Sequence, residues 1–293
     1  MENRDCNEMY TPKARVALYV NWKSKKKLDY ELSPRMIDFL VNAVGDGKLV
    51  CNVRTMNALL RRELCDDEGN LTEQGKVVAL AYLPLADQCV HLDIPLEEWH
   101  AATLSNPETT VLKTLNGQNS KAYFSENSFG THVVHFFLFD RLLNLSRSQD
   151  KPLYSADITF YPEFFYAIKA DLDAMLRSID EHICKMNYHL IQQHMEERPG
   201  FFHETMWDLA FYEAIFNALG ERNIRRIIEM YFSNPLAYYR GWPDIIVTGD
   251  KHAHFIEVKT TDTLHLSQLI TIPDLVSWTG IPVKCVRLKK SVL

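Results

Sequence analysis

Hydrophobic side chains recur at helical steps through most of the chain and alternate strictly only beyond residue 240. Ser33-Pro34 sets a capping hydroxyl and a helix-opening proline ahead of Met36, Ile37, Leu40, Val41 and Val44, and Gly45 stops the run. A second run carries Met56, Leu59, Leu60 and Leu64 on one face, with Arg54, Arg61 and Arg62 elsewhere. After the turn Asp66-Asp67-Glu68-Gly69-Asn70, Thr72 is placed to cap a third helix through Val77, Val78 and Leu80. Three short helices with tight turns predict a helix-turn-helix or winged-helix module, or else a plain packing bundle.

Residues 86–125 are mixed, with Pro95, Pro107 and Asn116-Gly117 as breakers. A bulky apolar helix follows through Phe129, Val133, Phe136, Phe137, Phe139, Leu142 and Leu143. Ile168, Leu172, Met175, Leu176, Ile179, Ile183, Met186 and Leu190 then predict one long amphipathic helix ended by Pro199-Gly200. Another helix runs from Asp208 to Leu219. From residue 240 the period changes. Asp244–Thr248 and His254–Thr260 read as strands around the turn Gly249-Asp250, Gln268–Trp278 as a helix bent at Pro273 and capped by Gly280, and Val283–Leu288 as a last strand. The order strand, strand, helix, strand predicts an α/β core preceded by helices.

Composition narrows the function classes. The 293 residues are 46% hydrophobic, 11% aromatic and 24% charged, enough to bury a core and incompatible with disorder throughout. No apolar run approaches the roughly 18 residues that span a bilayer, and Met1–Cys6 lacks the apolar core of a signal peptide, so a cytoplasmic protein, nucleoid-associated or nuclear, is expected. Six dispersed cysteines predict reduced thiols and no structural zinc. With 38 acidic and 32 basic residues the net charge of −6 excludes a globally basic nucleic-acid coat but not a local basic channel.

The chemistry concentrates in Gly241-Trp242-Pro243-Asp244-Ile245-Ile246-Val247 and Phe255-Ile256-Glu257-Val258-Lys259. One strand opens on a carboxylate, and the next carries Glu257 and Lys259 on one side. Asp244 beside Glu257 makes a hard-oxygen site for Mg²⁺ or Mn²⁺, the Val258 carbonyl can point into the same space, and Lys259 is placed to orient an attacking water. These stretches, with Gln268 heading a helix, resemble the VRR-NUC branch of the PD-(D/E)xK nucleases. Upstream, Glu126-Asn127-Ser128-Phe129, Phe139-Asp140, Tyr161-Pro162, Trp207 and Tyr238-Tyr239-Arg240-Gly241 follow the order of the Fanconi-associated nuclease group, so the resemblance covers roughly residues 120–293. Asn127 stands where that group has glycine, and Pro273 interrupts a helix usually continuous.

The resemblance implies that Asp244, Glu257 and the Val258 carbonyl bind a first metal, with Glu126 contributing to that metal or a second. It makes Lys259 the catalytic lysine and lets Gln268 steady the site or the scissile phosphate. Glu213 is the competing helical carboxylate. The expected organisation is a helical, winged-helix-like module over 1–90, a connecting segment over 91–125, a helical part over 126–235 and the catalytic core over 236–293. The expected activity is metal-dependent, structure-selective cleavage of flapped or branched DNA in repair, by a monomer. A dimeric junction resolvase and a non-catalytic DNA-binding protein with a degenerate nuclease fold are the alternatives. His132 with His135, His252 with His254, and the basic runs Lys23–Lys27, Arg222–Arg226 and Lys284–Lys290 are weaker features, the runs being candidate phosphate contacts.

Overall fold

A computed structural model describes residues 32–46, 48–116, 121–126, 129–149, 170–197, 209–249 and 252–291. They fall into two compact units, one formed up to Asp93 together with Asp262–Ile270, the other from Ile94–Thr261 and Thr271–Leu293.

The first unit contains α1 (Pro34–Asp46), α2 (Val53–Leu60), α3 (Glu73–Leu80) and α4 (Leu85–His91). Each of the first three is opened by a short polar side chain. Ser33 Oγ accepts from the Met36 amide at 3.3 Å, Asn52 from Thr55 at 2.9 Å and Thr72 from Gly75 at 3.0 Å. The second helix ends at Leu60, earlier than its apolar run, because Glu63 turns back with φ 58° and leaves Leu64 buried in the loop. Gly75 is indispensable there, since a Cβ would lie 1.8 Å from the Leu64 carbonyl oxygen. Met36, Leu40, Leu49, Leu59, Leu64, Leu71 and Val78 form the core. Around the Asp66–Asn70 turn the pairing is limited to the isolated bridges Lys48↔Asn70 and Cys65↔Leu71. Buried Gln88 ties in the remote segment: its Nε2 donates to the Leu80 carbonyl at 2.9 Å and its Oε1 accepts from the Leu264 amide at 2.8 Å.

The second unit is built on a five-stranded mixed sheet. Its strands are β1 (Leu96–Ala101), β2 (Lys121–Phe124), β3 (Ile245–Gly249), β4 (His252–Lys259) and β5 (Val283–Lys290), in the order β1-β5-β4-β3-β2. β5 pairs parallel with both β1 and β4, while β3 pairs antiparallel with β4 and β2. Both edge strands come from the mixed stretch before residue 125, where their polar residues hid them. α5 (Pro107–Asn116) covers one face through Val111 and Leu115 against Ile245, Val247, Ile256, Val258, Val286 and Leu288. The opposite face receives α6 (Phe129–Phe137) and α9 (Leu209–Ser233), with Phe129 edge-on to Phe255 at 5.2 Å.

Two predicted helices are broken. The Phe-rich run is split at Leu138 into α6 and α7 (Phe139–Gln149). Buried Asn187 of α8 (Glu181–Glu197) satisfies the break, donating to the Phe136 carbonyl at 2.7 Å and accepting from the Asp140 amide at 3.3 Å. The long amphipathic helix stops after residue 176, where Ser178 Oγ donates to the Met175 carbonyl. A new helix starts with Asp180 accepting from the Ile183 amide at 2.8 Å. An N-cap inside a periodic run outweighs the periodicity. α9 extends beyond its predicted end by kinking at Gly220, whose φ of 70° lies in the left-handed region. Pro273 lies within α11 (Leu266–Thr279) without ending it, and Gly280 (φ 71°) closes that helix with its amide on the Val276 carbonyl. α10 (Pro235–Tyr238) is a single turn capped by Asn234. No helix among the described residues is long and apolar enough to cross a membrane.

His135 is enclosed in α6 with its Nε2 unpartnered, and burial, aided by the charge of His132, holds its pKa down at about 3 against an ordinary 6.5. Below pH 6.5 the unfolded chain binds a proton that the folded chain refuses. Stability therefore falls as pH drops from 6.5 towards 3, by about 1.4 kcal/mol per pH unit from this residue. Urea midpoints at pH 7 and pH 5 should show wild type losing on the order of 2 kcal/mol more than His135→Leu. Equal losses in the two proteins would place the acid sensitivity elsewhere.

Candidate active site

The Gly-Trp-Pro-Asp stretch is shaped residue by residue. Gly241 takes a left-handed φ of 86° to turn the chain out of α10. Trp242 is buried, its indole N–H donating to the Tyr238 carbonyl at 2.8 Å and its ring 5.4 Å from that of Phe129. Helix α6 reaches Trp242 only because residue 130 is glycine, whose Cβ would lie 2.4 Å from the indole. Tyr238 donates its hydroxyl proton to Asp274 at 2.7 Å and Thr271 donates to the Arg240 carbonyl at 2.8 Å, which ties this loop to the later turns of α11.

Asp244 then stands immediately before β3. Extending the Ile245↔Ile256 pairing by one step sets Asp244 opposite Glu257. One carboxylate oxygen of Asp244 accepts from the Val258 amide at 2.7 Å, and Lys259 Nζ lies 2.7 Å from Glu257 Oε1. All three side chains are buried: Asp244 is 6%, Glu257 0% and Lys259 5% exposed. Burial and the facing Glu257 push the Asp244 carboxyl well above the ordinary carboxylate range, and Glu126 adds to the rise. The Val258 amide and Lys259 oppose it. Two buried carboxylates answered by one lysine leave a negative surplus on oxygen donors, the donor chemistry of a hard divalent cation. Among the described residues no group of three or more His, Cys, Asp or Glu side chains is gathered at metal-binding distance, His132 and His135 included.

Glu126 is brought to this place by its neighbour. Ser125, fully buried, donates its hydroxyl proton to the Pro243 carbonyl at 2.7 Å, and its amide donates to the Asp244 carbonyl at 2.8 Å. That two-point attachment joins residues 118 apart in sequence and sets exposed Glu126 where its charge acts on Asp244. Nothing in periodicity marks Ser125. Glu213 sits half-buried in α9. Gln268 lies in the first turn of α11, in the segment that counts with the first unit, and accepts from the His265 amide at 2.9 Å. His254 lies on the opposite face of the sheet from Glu257, near Glu97 and Lys284.

Of the basic runs, Lys23–Lys27 lies outside the described residues, as do Asn127, Tyr161-Pro162, Trp207 and Pro199-Gly200. Arg222, Arg225 and Arg226 line a groove of about 460 Å³ together with Glu221 and Glu229, and Arg225 pairs with Glu221. Lys284 and Lys289 pair with Glu97 and Glu98 of β1.

Comparison with solved structures connects this geometry to known folds. The chain is similar to paFAN1 bound to DNA with a 2-nucleotide 5′ flap and a gap, at 15% identity and a TM-score of 0.57, over 96% of this chain and 55% of that one. It is equally similar to paFAN1 bound to 1-nucleotide 5′-flap DNA with a gap, with 56% of that chain covered. This chain thus spans about half the length of those proteins, and what they share with it is the fold. No family model and no curated protein matches the sequence.

Two expectations follow from the packing. Ser125→Ala leaves the Pro243 carbonyl buried without its donor, and should lower the unfolding free energy by about 1–3 kcal/mol in chemical denaturation. Asp244→Asn removes one of two facing buried carboxylates yet keeps an acceptor for the Val258 amide. Its unfolding midpoint in metal-free buffer should rise, by about 1–3 kcal/mol in stability. A drop would mean that the Asp244 charge is already balanced within the fold.

Proposed function

We propose that this protein is a metal-dependent nuclease that hydrolyses phosphodiester bonds in flapped or branched DNA. The observation that carries the reading is the buried Asp244–Glu257–Lys259 group on two adjoining strands, with Asp244 locked by the Val258 amide. Such a group weakens the fold it sits in, and a buried charge cluster of this kind belongs to chemistry more than to stability. The shared fold with a protein crystallised on 5′-flap DNA supports the same substrate class.

Asp244 and Glu257, with the Val258 carbonyl and Glu126, are the groups to hold Mg²⁺ or Mn²⁺. When bound, the cation supplies Lewis-acid stabilisation of charge on phosphate oxygens and a more acidic water. The Val258 amide fixes the orientation of the Asp244 carboxylate, so the ligand oxygen is aimed before any cation arrives. Lys259, held against Glu257, keeps a positive charge beside the reacting phosphate and donates a hydrogen bond to the attacking water or a non-bridging oxygen. The Ser125 attachment brings Glu126 in from the helical side, which favours it over Glu213 as the third carboxylate. The first unit, with its short capped helices, is the candidate duplex-gripping module in the winged-helix manner.

A labelled duplex with a 5′ flap tests this. Wild type should cut it with Mg²⁺ or Mn²⁺ and stop in EDTA. Glu257→Gln and Lys259→Ala should each lose roughly 100-fold or more in cleavage. Glu126→Gln should fold and bind the DNA but lose most cleavage, while Glu213→Gln retains it. Full cleavage by Lys259→Ala would move the site elsewhere. A dimer in light scattering that cuts four-way junctions symmetrically would support the resolvase reading instead.

A further inference from the structure

The sheet face that carries the acidic pair continues across β5. Val286 and Leu288 belong to the apolar cluster under α5, so Cys285, Arg287 and Lys289 share the face of Glu257 and Lys259. In the strand register Arg287 is the direct neighbour of Lys259, and Glu98 of β1 is the direct neighbour of Arg287. Adjacent strands lie about 4.8 Å apart, so the Arg287 guanidinium stands beside the Lys259–Glu257 pair.

The arginine is also incompletely satisfied. Its Nε is buried without a hydrogen-bond partner. Glu98, the acid its charge reaches, is already bridged to Lys289 at 2.6 Å. With Lys259 bridged to Glu257 and Lys289 to Glu98, Arg287 is the cation of this row that keeps a buried donor without an acceptor. A guanidinium with a donor held in reserve beside another cation is a receptor for an oxyanion, and its planar fork matches phosphate. By contrast the α9 arginines are interleaved with Glu221 and Glu229, which partly neutralise them.

We propose that Arg287 binds a non-bridging oxygen of a phosphate next to the scissile one, so that the cut strand runs from the Asp244–Glu257 pair across β5 toward β1. This rests on the nuclease reading. Arg287 is then a phosphate-binding residue that sets the path and register of the strand, and Lys289 extends the same track.

The test uses the full chain and 5′-flap DNA in which single phosphates around the cut are replaced by neutral methylphosphonates. Wild-type cleavage should fall about tenfold or more at one position adjacent to the cut, the size of one lost charge-assisted hydrogen bond. Arg287→Gln should show the same loss on unmodified DNA, chiefly in KM, and no further loss at that position. In metal-free binding its slope of log affinity against log salt should shrink by about 0.7–0.9, one phosphate's worth. Arg287→Lys should restore the slope but only part of the cleavage. An unchanged slope together with wild-type interference in Arg287→Gln overturns the proposal. If Arg287→Gln does not fold, the wild-type interference series and Arg287→Lys decide, and a series with no sensitive phosphate beside the cut overturns it. Wild type that neither binds nor cuts any DNA removes the nuclease reading itself.

Discussion

Electrostatic repulsion between two carboxylates buried face to face governs the arrangement of the second unit. Asp244, just before β3, and Glu257 on β4 face each other with almost no exposure, and each has an internal partner. The Val258 amide takes one, and Lys259 takes the other. The surroundings then serve rigidity. Trp242, Phe129 and Phe255 wedge the acidic loop against α6, and Gly130 permits the contact. A loosely held pair would relax apart or turn to solvent, and the concentrated charge would be lost.

What was readable in sequence follows from how local each feature is. β3, β4, α11 and β5 lie in one stretch with clean alternation, and the triad Asp244, Glu257 and Lys259 is grouped by strand geometry alone. The edge strands were not readable. β1, Leu-Glu-Glu-Trp-His-Ala, is half-solvated and charged as exposed edges are, so its pattern carries little hydrophobic signal. The breaks at Leu138 and Ser178 were hidden because each depends on a hydrogen bond that periodicity does not encode. Ser125 and Arg287 acquire meaning only from pairing between distant segments, Ser125 with Pro243 and Arg287 with Lys259. Residues Asp262–Ile270 belong with the helices of the first unit through the Gln88–Leu264 bond, another long-range contact without a local mark.

Charge is also sorted between the two faces of the sheet. The face under α5 is apolar at its centre, and its charged residues Glu97 and Lys284 stand at the rim, paired with each other beside Trp99. The other face is ionic across three strands, from Asp244 through Glu257 and Lys259 to Arg287 and Lys289. Both faces are packed, one by α5 and the other by α6 and α9 around Phe255, but only the second also buries the charged cluster, which does little for stability.

The strand order has a kinetic consequence. Among the described strands β1 comes first and pairs with β5, which comes last and lies between β1 and β4. Closing the sheet therefore waits on the most distant segments meeting, the kind of non-local step that slows folding. During synthesis the acidic strand emerges with one flank open until β5 has left the ribosome. A nascent or truncated chain holds Asp244 and Glu257 on an unfinished sheet, without Arg287 beside Lys259. The fold itself withholds a complete charged face until the whole domain has been made.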